Sequence, residues 1–287
     1  MRKNLLLIGK SGVLGSKFLE KKKELKGYNV IAPSFTELDL RDELKIIYFF
    51  NHHDIDVIVN CAAITDIATC ETKKGYQVAQ EVNNYAVEKL VKHAKATAKF
   101  IQISCDQVYK GYSHVVTEDE ETWPLNSYGY TKEQADNFLT LNNKENSILI
   151  RTQWMYSENS VSTFGRLKEG LMSGQELSVF CDKVGSPTYA GDLVDAIFTI
   201  LMGEFKPGIY HYTNEGVCTF YDFTYEIAKF FKMEDRVKAI RSIDNDIAKI
   251  MPDICVLSKE KIKKEYSLKI PYWRESFEKM LYKILEK

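Results

Sequence analysis

Charge of one sign is what this chain has least of. Lys and Arg number 39 against 40 Asp and Glu in 287 residues, a net charge of -1. That balance gives no footing for nucleic acid or an anionic membrane surface as partner. The one basic run, Lys21-Lys22-Lys23, reads as a solvated helix face. No Cys-x-x-Cys pair occurs among the six scattered cysteines (Cys61, Cys70, Cys105, Cys181, Cys218, Cys255). Their spacing argues against a metal site and a disulfide scaffold, and free thiols point to a reducing cytoplasm. The first apolar run, Leu5 to Ile8, spans four residues before Gly9, too short for a signal-peptide core or a membrane span. Low-complexity segments and internal repeats are also absent. The expectation is a soluble, cytoplasmic protein, and 45% hydrophobic residues are enough for a sizeable core.

What is present is an alternation of short apolar runs with longer amphipathic stretches. Strands are expected at Leu5–Ile8, Tyr28–Ala32, Val57–Val59, Phe100–Ser104 and Ser147–Ile150. Helices are expected at Val13–Leu25, Glu43–Phe50, Val78–Lys95 and Tyr128–Leu141. Strands that alternate with helices imply right-handed crossovers and a doubly wound parallel sheet, a Rossmann-type α/β fold. After Arg151 the rhythm loosens. Phe164–Met172 and Asp192–Leu201 read as helices, Gly208–His211 as a strand, and the chain from Thr219 as mostly helical. We therefore expect a dinucleotide-binding domain over 1–153, with 184–212 returning to it. A smaller, mainly helical substrate-binding lobe is expected from 154–183 and 213–287.

Gly9-Lys10-Ser11-Gly12-Val13-Leu14-Gly15 joins the first strand to the first helix. Glycine there permits a tight bend and a close approach by a pyrophosphate, and the helix N-terminus supplies free N–H groups. Asp39-Leu40, beyond the second strand, is placed to accept from an adenine amino group or to cap the helix from Glu43. Ala32-Pro33-Ser34-Phe35 offers no carboxylate to a ribose 2′-hydroxyl, which tilts the expected cofactor slightly from NADH toward NADPH. Asn60-Cys61-Ala62-Ala63 closes the third strand with small side chains, suited to passing under a cofactor or simply to packing. Asn83 stands on a helix that could bring it to the site. Tyr128 and Lys132, four residues apart, share a helix face. An ammonium beside a phenol favours the phenolate, so a tyrosine of lowered pKa is expected as general acid.

With these pieces in order the chain resembles the extended short-chain dehydrogenase/reductases, and among them the dTDP-4-dehydrorhamnose reductases. The likeness runs nearly end to end. It rests on the glycine turn, Asn60-Cys61-Ala62-Ala63 with Thr65, Val82-Asn83, and Ile103-Ser104-Cys105-Asp106-Gln107-Val108-Tyr109. It continues through Tyr128 to Lys132, Arg151-Thr152-Gln153-Trp154-Met155-Tyr156, and Gly185-Ser186-Pro187-Thr188-Tyr189-Ala190-Gly191-Asp192-Leu193. The resemblance implies hydride transfer from NADPH or NADH to a C4 ketone of a nucleotide-activated 4-keto-6-deoxy sugar. Tyr128 would protonate the oxygen, and Lys132 would hold the nicotinamide ribose. Cys105 occupies the place of a catalytic threonine, with Ser104 beside it on the cofactor side. Thr65, Asp106, Gln107, Trp154, Ser186, Pro187 and Thr188 would bound the sugar and nucleotide, and a homodimer is favoured. Strand alternation turns Ser104 away from Cys105's side unless the strand end twists. The chain departs from the family pattern at Cys105, at Gln107 in place of tyrosine, at Ala68 in place of an aspartate (Glu71 remains), and at Met251-Pro252 in place of Arg-Pro. A non-catalytic dinucleotide-binding subunit and a nucleotide-sugar epimerase are the alternative readings.

Overall fold

The computed structural model describes residues 2–285. Six parallel strands form the central sheet: β1 (Lys3–Ile8), β2 (Tyr28–Ile31), β3 (Val57–Asn60), β4 (Lys99–Cys105), β5 (Ser147–Thr152) and β6 (Gly208–His211). Their spatial order is β6-β5-β4-β3-β1-β2. Each strand is apolar on both faces because each face is covered by helices. Leu5 and Leu7 join one core cluster and Leu6 and Ile8 the other; Ile148 and Ile150 part from Leu149 in the same way.

The first cluster packs α1 (Val13–Lys21) and α6 (Ala190–Met202) on one face. On the other face lie α2 (Glu43–His52), a long helix α3 (73–93) and α4 (Ser127–Asn142). The strand order reverses at β1, which lies between β2 and β3. Brändén's rule puts a ligand crevice outside the carboxyl ends of strands at such a point. Residues 9–15 and 61–65 emerge there.

Several element ends differ from the sequence expectation; α1, for example, ends at Lys21 rather than Leu25. Helix α3 starts at Lys73 rather than Val78, because the Thr72 hydroxyl caps it by accepting from Gly75 N. Its middle, Gln80–Tyr85, is π-helical and carries Asn83. Asp42, not Asp39, caps α2, accepting from Leu44 N and Lys45 N.

A third cluster lies outside the sheet. Tyr156, Phe164, Phe223, Trp273 and Phe277 are among its buried aromatics, drawn from α5 (Thr163–Met172), α7 (Phe220–Phe230), α8 (Trp273–Leu285) and the short strand Met155–Tyr156. This cluster faces the carboxyl side of β5 through the segment 153–156. Among the described residues no helix is long and apolar enough to cross a membrane, and the six cysteines are free.

Candidate active site

Two contiguous cavities open along the carboxyl ends of β1, β3, β4 and β5. The first, of 430 Å³, is lined by Gly9–Gly12, Pro33–Phe35, Leu38, Asp39, Leu40, Cys61, Ala62 and Ala63. Gly9 has φ 81°, and a Cβ there would sit 2.7 Å from Ala62 N, so the two loops meet backbone to backbone. A methyl on Gly15 would run into the Gly9 carbonyl. Gly12 serves as N-cap of α1 and no side chain caps that helix. The first N–H groups of α1, from Val13 and Leu14 onward, are therefore free to take an anion, which is what a pyrophosphate requires.

The second cavity, of 520 Å³, shares Gly12, Cys61 and Ala63 with the first. It runs past Thr65, Ser104–Gln107, Tyr128, Lys132, Gln153, Trp154, Arg166 and Met251. Helix α4 presents Tyr128 and Lys132 to it. Asn126 caps that helix through Gly129 N at 2.8 Å, and Glu71 accepts from Ser127 N at 2.6 Å. Glu71, the acid that survives beside Ala68, thus anchors the start of α4.

The electrostatics reverse the expectation for Tyr128. Burial, and next the Cys105 thiol, push the phenol well above its ordinary pKa of 10.0. The amine of Lys132 donates to Ile103 O at 2.8 Å, and burial lowers its pKa. Tyr128 is accordingly a protonated acid at neutral pH. That is the form a reductase needs, since the developing alkoxide must receive a proton.

At the end of β4 the side chains alternate. Ser104 turns its hydroxyl to Asp136 on α4, 2.9 Å away, where Arg151 Nε also donates at 3.1 Å. Ser104 lines the cavity, but its hydroxyl is bonded to Asp136 within the wall. Cys105 faces the cavity beside Tyr128, with a thiol pushed up to about 12 by burial. It is neutral and a weak donor.

Asp106 follows, fully enclosed, its carboxyl pushed up to about 6 by burial. One of its oxygens accepts from Gln153 Nε2 at 3.0 Å and Gln107 Nε2 at 3.2 Å. Asn126 donates to Gln107 at 3.0 Å, and Gln153 accepts from Ser186 N at 2.7 Å. Trp154, with φ 44°, is held in a left-handed conformation at the cavity wall and packs edge-on against Phe220. Strain at a non-glycine residue beside a cleft is a mark of functional constraint.

Asn83, Ser186, Pro187 and Thr188 support the wall without lining either cavity. Asn83 accepts from Ile64 N at 2.8 Å and donates to Ile64 O and Thr131 Oγ1. It ties the loop after β3 to α4 and does not reach the cleft. Ser186, Pro187 and Thr188 are buried, the Ser186 hydroxyl donating to Gly216 O and the Thr188 hydroxyl meeting Thr152. Ser186 backs the pocket through its N–H bond to Gln153. Asp39 lines the first cavity but receives both a backbone and a side-chain bond from Arg41. Arg166, on α5 at the cavity rim, was not anticipated. Its signal in sequence is only a lone arginine on an amphipathic helix.

The RmlD substrate binding domain model matches residues 2–286. The spore coat polysaccharide biosynthesis protein SpsK of Bacillus subtilis (strain 168) is 30% identical over 96% of this chain and 96% of its own length. The dTDP-4-dehydrorhamnose reductase of Aggregatibacter actinomycetemcomitans is 30% identical over 95% of this chain and 96% of its own. A crystal structure of dTDP-4-dehydrorhamnose reductase from Bacillus anthracis str. Ames, in complex with NADP, superposes with a TM-score of 0.91 at 23% identity, covering 99% of this chain and 100% of that one. This last likeness is one of fold. The glycine turn, the buried Tyr128 beside Lys132 and a match over almost the whole sequence agree: the chain belongs to the RmlD substrate binding domain family, within the Rossmann-fold short-chain dehydrogenase/reductases.

Proposed function

We propose that the protein reduces the C4 ketone of a dTDP-activated 4-keto-6-deoxy sugar with NADPH or NADH. The observation that carries this reading is a neutral, buried tyrosine in a cavity continuous with an uncapped glycine turn. The names of full-length relatives support the sugar, and the NADP complex of the similar fold supports the cofactor.

The residues divide the work. Gly12 and the first N–H groups of α1 hold the pyrophosphate, and Cys61, Ala62 and Ala63 let the cofactor pass over β3 without a clash. A reduced nicotinamide bound there supplies the hydride. Tyr128 holds the proton and releases it to the C4 oxygen as negative charge develops. Lys132, pinned by the Ile103 carbonyl, sits deep in the same cavity as a donor toward the nicotinamide ribose. Cys105 faces the reacting oxygen but polarises it weakly, so most of the activation falls to Tyr128. Asp106, Gln107, Gln153 and Trp154 shape the sugar pocket. Arg166 stands where a diphosphate needs a cation, a role that Met251 leaves unfilled. In the same reading, 1–153 with 184–212 binds the dinucleotide, and 154–183 with 213–287 holds the sugar nucleotide.

Incubation with 4-deuterated NADPH and a set of dTDP-4-keto-6-deoxy sugars tests this. Deuterium on C4 of the product is the expected result. Failure of every 4-keto sugar to oxidise either NADPH or NADH overturns the proposal.

A further inference from the structure

Residues 250–255 form a strap beside the second cavity, and Met251 is the strap residue that lines it. Neighbouring segments fasten the strap. Asn126, the cap of α4, donates to Ile250 O at 2.9 Å. Val184 N donates to Asp253 O at 2.7 Å, and Cys255 N donates back to Val184 O at 3.0 Å. Tyr112 N donates to Ile254 O at 2.9 Å. Gln153, which also holds Asp106, donates to Cys255 O at 3.0 Å. The carbonyl of Met251 itself accepts from Lys183 Nζ at 2.8 Å, and the same ammonium reaches Asp253 Oδ1 at 2.6 Å.

A lysine is seldom buried, because its charge loses solvation unless a partner replaces the water. The Lys183 side chain is 3% exposed, whereas that of Asp253 is 77% exposed. A carboxylate so open to solvent is screened and returns little for that burial. What the ammonium gains is a charge-assisted bond to the backbone of the strap residue that faces the cavity. The lysine is held in its turn: Lys183 O accepts from Phe220 N at 3.0 Å, at the start of α7.

We propose that Lys183 is a positioning residue for the nucleotide-sugar substrate. It sets how far Met251 stands into the cavity and touches no substrate atom itself. The inference rests on the proposed binding of a dTDP-activated sugar in that cavity. No strap residue lines the cofactor cavity. The reacting groups also have supports of their own, Asn126 at Gly129 N and Lys132 at Ile103 O. A loosened strap therefore weakens substrate binding and leaves cofactor binding and proton transfer in place.

The test combines calorimetric titration of dTDP and of NADPH with steady-state kinetics on a dTDP-4-keto-6-deoxy sugar. Lys183→Met keeps the apolar stem and removes the donors. It is expected to raise the dTDP Kd and the sugar KM by about tenfold, the scale of one charge-assisted hydrogen bond. The kcat and the NADPH Kd should stay within about twofold, the pattern of lost uniform binding. Asp253→Asn, at the exposed end of the ion pair, should leave all four values within about twofold. Gly111→Ala disturbs the strap without touching Lys183. Gly111 has φ 93°, and a Cβ there would meet Ile254 O at 3.1 Å and Pro252 Cβ at 3.3 Å. It is expected to raise the dTDP Kd and the sugar KM at unchanged kcat, and it decides the matter alone if Lys183→Met does not fold. An unchanged dTDP Kd, or a parallel loss of NADPH affinity, overturns the inference. So does an Asp253→Asn variant as impaired as Lys183→Met. Wild type that binds dTDP but reduces no 4-keto sugar contradicts the reductase proposal alone. Wild type that binds no dTDP removes the sugar-nucleotide reading, and this inference with it.

Discussion

The two ends of the cleft are built by opposite means. The phosphate end is made by taking side chains away: Gly9, Gly12, Ala62 and Ala63 leave backbone facing the cavity, and α1 begins without a cap. The reaction end is made by packing polar side chains together along the cavity wall. Tyr128, Cys105, Asp106, Gln107, Asn126 and Gln153 are all buried there, and Asp106, Gln107, Asn126 and Gln153 are bonded to one another or to backbone. The first end recognises charge with dipoles that never titrate. The second sets its chemistry through desolvation, so its groups sit far from their solution pKa values.

That difference can be broken at either end. The largest effect is expected from Tyr128→Phe, which removes the proton donor. Turnover of a 4-keto sugar nucleotide should fall by roughly a thousandfold, within the range for general acids, while NADPH affinity measured by fluorescence titration stays close to wild type. Equal turnover would place the acid elsewhere in the cleft. At the phosphate end, Gly15→Ala pushes a methyl into the Gly9 carbonyl. Denaturant unfolding should show a loss of about 3 kcal/mol, the upper range for overpacking, together with weakened cofactor binding. An unchanged midpoint would mean that the turn relaxes freely.

Asp106→Asn separates the two construction principles by pH. The Asp106 carboxyl is raised to about 6 by burial. Its folded form therefore favours the proton, a stabilising contribution fully present below the unfolded pKa of about 4 and lost as pH climbs through 6. Asparagine keeps the acceptor for Gln153 and Gln107 but carries no charge. The variant should be more stable than wild type by about 2 kcal/mol at pH 8, with the advantage gone near pH 4. Urea melts at the two pH values decide it; a pH-independent difference would contradict the desolvated carboxyl. The smallest change is expected from Cys105→Thr, which restores a better donor at the end of β4. Turnover should hold or rise by up to about threefold, as befits one weak hydrogen bond made stronger. A collapse would show that the thiol, by its size, sets the pocket.

Legibility in the sequence followed the same divide. The sheet, its strands and the glycine turn were readable because apolar alternation and glycine spacing report backbone geometry directly. Tyr128 and Lys132 were readable as helix neighbours, but their coupling was not. Lys132 takes the Ile103 carbonyl, which only the packing of α4 on β4 brings near. Asn83 was recognised without its task, since its partners Ile64 and Thr131 lie 19 and 48 residues away. Ser186, Pro187 and Thr188 were expected in the pocket and are buried behind its wall, the Ser186 and Thr188 hydroxyls bonded to Gly216 O and Thr152.

The claim that most of this depends on is that burial keeps the Tyr128 phenol protonated until the alkoxide forms. Ultraviolet difference spectroscopy of the cofactor-free protein against Tyr128→Phe, titrated upward from pH 6, measures it directly. The account predicts no tyrosinate signal from this residue below pH 10. A tyrosinate band rising near neutral pH would contradict it.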